Sequence, residues 1–372
     1  MKGSAWRGIV YCLLFYSSIF SGFLTICCPL LPLLLIDNRL YRHAMDIVFA
    51  IWELYPVALM EILFGTEFIV SGDKIRPWEH SILIMNHRTR LDWNFLWGAM
   101  YYSTSPPSHR LKFILKSPIK RVPGAGWVMQ MAGFFYIHRR WEDDQRLVSN
   151  MLEYLQDINH TYQVLIFPEG TDLTKKSIAR SNHYADINNL QHYTHVLHPK
   201  TTGFAYIVKK MKSIEQLDAV YDLTIGYPDT LPETEIDVMQ GIFPEKVHFM
   251  IKRYSINELP SSFESVKEWL NRIWRAKEDT LHKFYNSGEF TAQPNESVWP
   301  RPICNTLHLA VIFWTGLILG TIYLTYTSMI FFLWSILNCI IFTILSFATE
   351  GFFHIEIAWF KLKHKQLMKR KK

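Results

Sequence analysis

The chain has 372 residues, a formal net charge of +6, 49% hydrophobic residues, 15% aromatic residues and 13 tryptophans. That length allows one large domain or two ordinary ones, and the aromatic share is high for a soluble protein but suits a membrane interface. Cys12, Cys27, Cys28, Cys304 and Cys339 all lie in or beside apolar stretches, with neither metal-ligand spacing nor the pattern of a secreted disulfide framework.

In chain order, Gly8 to Ile36 carries no charged residue and is long enough to cross a bilayer. Pro29 and Pro32 interrupt its second half, so the expectation is one spanning helix from about Ile9 to Cys28. A cleaved signal peptide is the competing reading, although no small-x-small cleavage site precedes Asp37. Residues 44–65 are apolar but carry Asp46, Glu53, Pro56 and Glu61, which reads as an amphipathic or partly embedded helix pair.

Strands and helices then alternate. Strands are expected at Thr66–Ser71, Ile82–Asn86, Leu111–Leu115, Phe134–His138, Gln163–Phe167, Ala219–Tyr227 and Lys246–Tyr254. Helices are expected at Leu91–Tyr102, Gly124–Met131, Glu142–Ile158 and Thr201–Met211. An amphipathic helix follows from about Ser262 to Tyr285, with Ser261 and Glu264 spaced as a capping box. Such alternation predicts an α/β domain with a mainly parallel sheet flanked by helices.

A second uncharged block, Pro302 to Thr349, fits two spans, about Leu307–Tyr326 and Met329–Phe347, joined by Thr327-Ser328. The tight hairpin returns the chain to the side it left. Arg39, Arg42, Arg272, Arg275, Lys277, Lys283, Arg301, Lys361, Lys363, Lys365 and the terminal Lys369-Arg370-Lys371-Lys372 then share one side, which the positive-inside rule makes cytosolic; Lys2 and Arg7 oppose it weakly. A cytosolic domain leaves the sequons at Asn159 and Asn295 unused. The basic terminus resembles a dilysine-type retrieval signal, or is a tail touching anionic lipid.

Four clusters stand near expected strand ends. His87 ends one strand, and Asp92 opens the next helix: an imidazole with a carboxylate one turn on has the makings of an oriented general base. On spacing alone the plainer reading, a strand-end histidine beside a helix cap, is the favoured one. The second cluster runs from Lys116, Lys120 and Arg121 to Gly133-Phe-Phe-Tyr-Ile-His138-Arg139, and its basic residues suit phosphate. The third is Phe167-Pro-Glu169-Gly170-Thr171-Asp172, whose Gly turn could offer backbone N–H groups to an anion. The fourth is Val196-Leu-His198-Pro199-Lys200-Thr-Thr-Gly203. Strand ends on one edge of a parallel sheet converge on a crevice, where α/β folds bind ligands. There is no Gly-x-Ser-x-Gly elbow, no His-Glu-x-x-His and no Walker loop. With no Ser or Cys nucleophile beside His87, a base there must activate a hydroxyl of the substrate.

Together, over about residues 70–230, Asn86-His-Arg-Thr-Arg-Leu-Asp92, Gly133-Phe-Phe-Tyr-Ile-His-Arg139, Phe167-Pro-Glu-Gly-Thr171 and His198-Pro199 resemble the four ordered blocks of the glycerolipid acyltransferase family. The wording of Ile84–Trp93, Val122–Trp127, Phe167–Thr174 and Val196–Phe204 is similar to that of its lysocardiolipin acyltransferase branch. The resemblance implies four regions: N-terminal transmembrane and interfacial helices (1–65), a catalytic domain (66–300), a transmembrane hairpin (301–349) and a basic cytosolic tail (350–372).

The resemblance also implies direct transfer without a covalent intermediate. His87 would deprotonate the glycerol hydroxyl of an anionic lysophospholipid (lysocardiolipin, lysophosphatidylinositol or lysophosphatidylglycerol), which attacks the thioester of acyl-CoA, while Asp92 orients His87. Glu169, Gly170 and Thr171 would position the acceptor, with Arg139 and Lys116 on its phosphate. Acyl-CoA enters as co-substrate; no metal, further cofactor or nucleic acid is expected. An endoplasmic reticulum membrane, or its mitochondrial contacts, is the expected location. Lysophosphatidate transfer, CoA-independent transacylation and a non-catalytic lipid-binding role are the alternatives. Many lysophosphatidate enzymes of the family have Arg where this chain has Asp172, whose charge would repel a phosphate monoester.

Overall fold

The computed structural model describes residues 4–104, 110–290 and 305–370. The sequon at Asn295, Arg301, Cys304 and the last two lysines lie outside them, as does Lys2. The chain divides into two compact units that do not follow chain order: Met1–Cys12, Glu53–His109 and Tyr162–His308 form one, and Leu13–Trp52, Arg110–Thr161 and Leu309–Lys372 the other. The stretch expected to be the catalytic domain therefore contributes to both.

Among the described residues there are seven strands: β1 (Glu67–Gly72), β2 (Ser81–Met85), β3 (Leu111–Lys116), β4 (Phe135–Ile137), β5 (Gln163–Ile166), β6 (Ala219–Gly226) and β7 (Lys246–Ser255). In the first unit the strand order is β1-β7-β6-β2-β5, with helices flanking the sheet. Its pairs are parallel except β6 with β7, so the mainly parallel expectation holds. Every residue of β2 and of β6 is buried. A strand covered on both faces reads as an unbroken apolar run, as in Ile82-Leu-Ile-Met85. In the second unit β3 and β4 pair in parallel, Ile114 facing Phe135.

Most expected elements lie within a residue or two of their places. The cap of the helix Phe263–Ser287 shifts by one: Ser262, rather than Ser261, accepts from the Ser265 N–H at 3.1 Å. Glu264 instead pairs with Lys267 at 2.8 Å. Among the described residues between Glu67 and Ser287, two α-helices were not anticipated, Lys175–Ile187 and Glu235–Met239, each opened by a threonine capping box.

Among the described residues, four helical stretches are long and apolar enough to cross a membrane: Ala5–Ile36, Asn38–Phe64, Asn305–Thr327 and Met329–Ala348. The last two are the expected hairpin, with Ser328 capping the second helix. They turn large apolar side chains outward, Ile312, Leu319, Ile330 and Ile340 among them, a surface that only lipid or a partner can cover. The first stretch passes through a π-helical turn, Phe23–Cys27, just before Pro29. Residues 44–65 do not form a helix pair; they belong to one continuous helix, Asn38–Phe64, with Pro56 inside it. Its acidic residues are used within the protein. Asp46 lies 2.6 Å from Lys112 Nζ on β3, and Glu61 accepts from the Tyr102 hydroxyl at 2.5 Å. Residues 352–370, read from charge as a tail, form a helix whose start is buried, and Glu356 there meets Arg42 in a fully buried ion pair.

Candidate active site

Three strands place His87. The β2/β5 register sets Ile84 against Ile166, and continuing it past the last pair brings His87 level with Glu169. The His87 backbone N–H donates to Glu169 Oε1 at 3.1 Å. On the other flank, β2 pairs with β6 as far as Met85 and Leu223. There the Asn86 side chain takes over from the backbone: Nδ2 donates to the Ile225 carbonyl at 3.1 Å, and Oδ1 accepts from the Ile225 N–H at 2.9 Å. The main chain is thereby free to turn away from the sheet at His87 while Ile225 keeps a partner for both its backbone groups.

Asp92 opens the helix Asp92–Ser103, where the helix dipole favours a negative charge. Its side chain is wholly buried, and its Oδ2 lies 3.0 Å from His87 Nδ1. The same oxygen accepts from the Thr89 N–H at 3.0 Å, and Oδ1 accepts from the Tyr227 hydroxyl at 2.7 Å. A carboxylate with three donors is satisfied as an anion despite its burial. The imidazole, 18% exposed, leans on Phe167 with ring centroids 4.4 Å apart. With Nδ1 engaged, Nε2 is the nitrogen left to exchange a proton. Burial works against the imidazolium, but the bond to Asp92 and the negative charges of Asp92, Glu169 and Asp172 outweigh it and hold the His87 pKa above its ordinary value. Such a ring can take a proton from a bound hydroxyl and keep it briefly.

The third block closes over this pair. Gly170 has φ 73°, and its N–H donates to the Phe167 carbonyl at 3.0 Å, making a tight turn. A Cβ at Gly170 would stand 3.1 Å from Lys200 Nζ, which fixes how near the fourth block comes. The Leu173 N–H donates to the His87 carbonyl at 2.9 Å, and the Lys200 N–H to the Pro168 carbonyl at 2.8 Å. Glu169 is 3% exposed. Besides the His87 N–H, its carboxylate accepts from the Leu197 N–H at 3.0 Å and from Trp274 Nε1 at 3.3 Å. Burial pushes its pKa up to about 7 against the pull of those backbone bonds. Glu169 thus joins three segments to one another. Thr171 Oγ1 donates to Asp172 Oδ1 at 3.1 Å, and Asp172 Oδ2 lies 3.9 Å from Arg90 Nε.

His87, Asp92, Glu169, Gly170 and Thr171 all fall in the first unit. Lys116 and Arg139 fall in the second, where with Lys120, Arg121 and His138 they line a cavity of about 600 Å³. Sequence reasoning did not anticipate Tyr227, Trp274 or Glu278. Glu278 takes the N–H groups of Thr194, His195 and Val196 at 2.7–3.0 Å and so shapes the approach to the fourth block. His198 in that block is held by Ser181 Oγ at 2.8 Å and stacks on Tyr193. Tyr227 ends a strand, as His87 does, which was the one signal available for it. Among the described residues no group of three or more His, Cys, Asp or Glu is arranged to hold a metal ion.

This arrangement has relatives. Residues 67–227 match the family model described as Acyltransferase, and residues 237–314 that described as Acyltransferase C-terminus. Given also relatives above 30% identity over most of its length, the chain belongs to the glycerolipid acyltransferase family. Its similarity within that family is to the lysocardiolipin acyltransferase branch. Lysocardiolipin acyltransferase 1 of Gallus gallus is 41% identical over 87% of this chain and 86% of its own. That of Mus musculus is 38% identical over 97% of both chains. Lysophosphatidylinositol acyltransferase 10 of Caenorhabditis elegans is 35% identical over 82% of this chain and 80% of its own. The crystal structure of the 1-acyl-sn-glycerophosphate acyltransferase PlsC from Thermotoga maritima aligns with TM-score 0.49 at 16% identity, over 75% of this chain and 96% of that one. The chain is an acyltransferase with apolar helices suited to a membrane.

Proposed function

We propose that this enzyme transfers an acyl group from acyl-CoA to the free glycerol hydroxyl of an anionic lysophospholipid, with His87 as general base. The observation that carries the reading is the 3.0 Å contact between His87 Nδ1 and a buried Asp92 that is itself fixed by Thr89 and Tyr227. Asp92 holds the tautomer that leaves Nε2 basic and offsets the charge formed when the ring takes the hydroxyl proton. The alkoxide-like oxygen attacks the thioester carbon, the C–S bond breaks, and the proton leaves with the CoA thiolate. Glu169 is a positioning residue through the His87 backbone. Gly170 and Thr171, on the turn that follows Glu169 in the first unit, receive the acceptor head group.

The activities for which the relatives are named favour lysocardiolipin or lysophosphatidylinositol as acceptor. A second reading, transfer to lysophosphatidate, is favoured by the probable 1-acyl-sn-glycerol-3-phosphate acyltransferase 5 of Arabidopsis thaliana, 33% identical over 78% of this chain. Asp172 beside the third block speaks against it. We place the enzyme in the endoplasmic reticulum membrane, or its mitochondrial contacts, with the catalytic residues cytosolic, on the side favoured by the flanking basic residues.

The test is His87→Ala in microsomes supplied with labelled acyl-CoA and a panel of lysolipids. Transfer is expected to fall by roughly 10²–10⁴-fold with protein level unchanged. Undiminished transfer would remove the proposed base, and transfer without added acyl-CoA would replace the donor.

A further inference from the structure

Within the first unit, a short helix packs against the ends of two of the helices long enough to cross a membrane, and it turns apolar side chains outward. The helix Glu235–Met239 buries Val238 and leaves Ile236 64% and Met239 51% exposed. Ile236 and Met239 are three positions apart, so they share one face. Asp237 is spent on the helix cap, accepting from the Glu233 and Thr234 N–H groups at 3.0 and 2.8 Å, and Glu235 lies 3.7 Å from Arg90 Nη1.

The neighbours of this helix indicate what covers its outer face. A Cβ on Gly8 would collide with the Val238 and Met239 carbonyls, and one on Gly241 with the Ser4 carbonyl. The start of the helix Ala5–Gly22 therefore runs backbone to backbone along the segment. Phe243 stacks on Phe64, the last residue of the helix Asn38–Phe64, with ring centroids 3.8 Å apart, and meets the Tyr11 ring at 5.0 Å. Arg7 Nη1 donates to the Leu63 carbonyl at 3.3 Å, and the Arg7 guanidinium lies 5.6 Å from the Trp6 ring centroid. Trp6, Ile9 and Ile62, beside these contacts, are exposed. A tryptophan with an arginine at the end of an apolar helix marks the headgroup level of a bilayer, and Ile236 and Met239 stand next to it.

The same segment reaches the candidate active site. Thr89 Oγ1 donates to the Pro232 carbonyl at 2.8 Å, Arg90 pairs with Glu235, and the Tyr11 hydroxyl lies 3.0 Å from Asn94 Oδ1 on the helix that Asp92 opens. All of these residues belong to the first unit.

We propose that Glu235–Met239 is an interfacial anchor. It sets Ile236 and Met239 among lipid headgroups and upper acyl chains, and through Pro232 and Glu235 it holds the His87 loop at the bilayer face, where a lysophospholipid arrives. The seat in lipid stands on the contacts above, whereas the presentation of the acceptor rests on the reading of His87 as the base.

The first experiment uses the full-length chain in phosphatidylcholine vesicles, with its native cysteines replaced by alanine and bimane attached through Ile236→Cys, Met239→Cys or, as the exposed control in the same unit, Glu264→Cys. Brominated phosphatidylcholine should quench the first two and spare the third, and iodide in the water should do the reverse. Quenching of the first two by iodide alone puts the face in water. Shielding from both quenchers puts a second copy or another protein on it. Either result overturns the anchor. In the otherwise native chain, Ile236→Gln with Met239→Gln should raise KM for long-chain lysophosphatidylglycerol in vesicles on the order of fivefold. KM for a short-chain analogue dissolved below its micelle concentration should stay as in the wild type. If lipid quenches the probes but KM changes for neither acceptor, or for both alike, the presentation of the acceptor is overturned and the anchor kept. A wild type that acylates neither compound overturns the acceptor reading instead, and the quenching alone then decides the anchor.

Discussion

At the scale of single residues, the proposed chemistry is divided between a ring that changes protonation and a carboxylate that holds it. Asp92 has no exposure, and three donors meet its two carboxylate oxygens. Burial disfavours a charged His87 ring, and the bond to Asp92 with its negative charge does most to hold the pKa up in spite of it. The sign of the pH dependence follows. A base with a raised pKa is lost as pH falls through that raised value, so the acid limb of the rate profile should lie above the ordinary histidine value of about 6.5. In Asp92→Asn the stabilisation of the imidazolium is gone, so the limb should move to lower pH while kcat falls. A pH–kcat profile measured under saturating acceptor checks both, and an unmoved limb would separate Asp92 from the titrating group. Tyr227→Phe removes one of the three donors to Asp92, and the rate should drop far less than in His87→Ala, with acceptor KM kept.

At the scale of elements, a helix distant in sequence sets the loops around the proposed site. The helix Phe263–Ser287 sends Trp274 to Glu169 and Glu278 to three successive N–H groups before the fourth block. Lys277, between them, is buried against Asp222 at 2.6 Å and donates to the Leu223 carbonyl at the heart of β6. In the second unit, Arg42 and Glu356 make the corresponding tie between the helix Asn38–Phe64 and the C-terminal helix. Arg42 Nε donates to Glu356 Oε1 at 2.7 Å and Nη1 to the Met131 carbonyl at 2.8 Å, while the Tyr154 hydroxyl also donates to Glu356. Truncating one member of a buried pair leaves the other uncompensated, so Glu356→Gln should cost about 3–5 kcal/mol. The double replacement Arg42→Met with Glu356→Leu should recover most of that loss. Thermal unfolding of the detergent-solubilised chain reads both; a Glu356→Gln variant as stable as the wild type would mean that the pair contributes little.

At the scale of the whole molecule, the hairpin Asn305–Thr327 and Met329–Ala348 presents lipid-compatible faces over most of its length. A cysteine at Thr327 should therefore react with an impermeant maleimide only from the side opposite one placed at Lys283. The exposed Asn159 should carry no glycan if the catalytic residues face the cytosol, as an unchanged mobility on endoglycosidase treatment would show. Labelling of both cysteines from one side would mean that the hairpin does not cross.

Residue order by itself determined the alternation of strands and helices, the hairpin and its turn, and the spacing that lets His87 meet Asp92. Each of these is written locally, in apolar runs, in breakers and in a spacing of one helical turn. The helix Lys175–Ile187 is not legible in that way because only Ser177 and Ala185 are buried on it, which leaves no apolar stripe to read. Only the tertiary structure decided that Asn38–Phe64 is one helix through Pro56, that Tyr227 secures Asp92, and that Glu169 is spent on backbone N–H groups and an indole. It also brought Glu350 to Lys120 and His138 across more than two hundred positions. The physical reason is common to all of them. A local pattern records how a segment buries its own face, whereas the partner of a buried charge is chosen by chain closure between distant segments and leaves no periodicity behind.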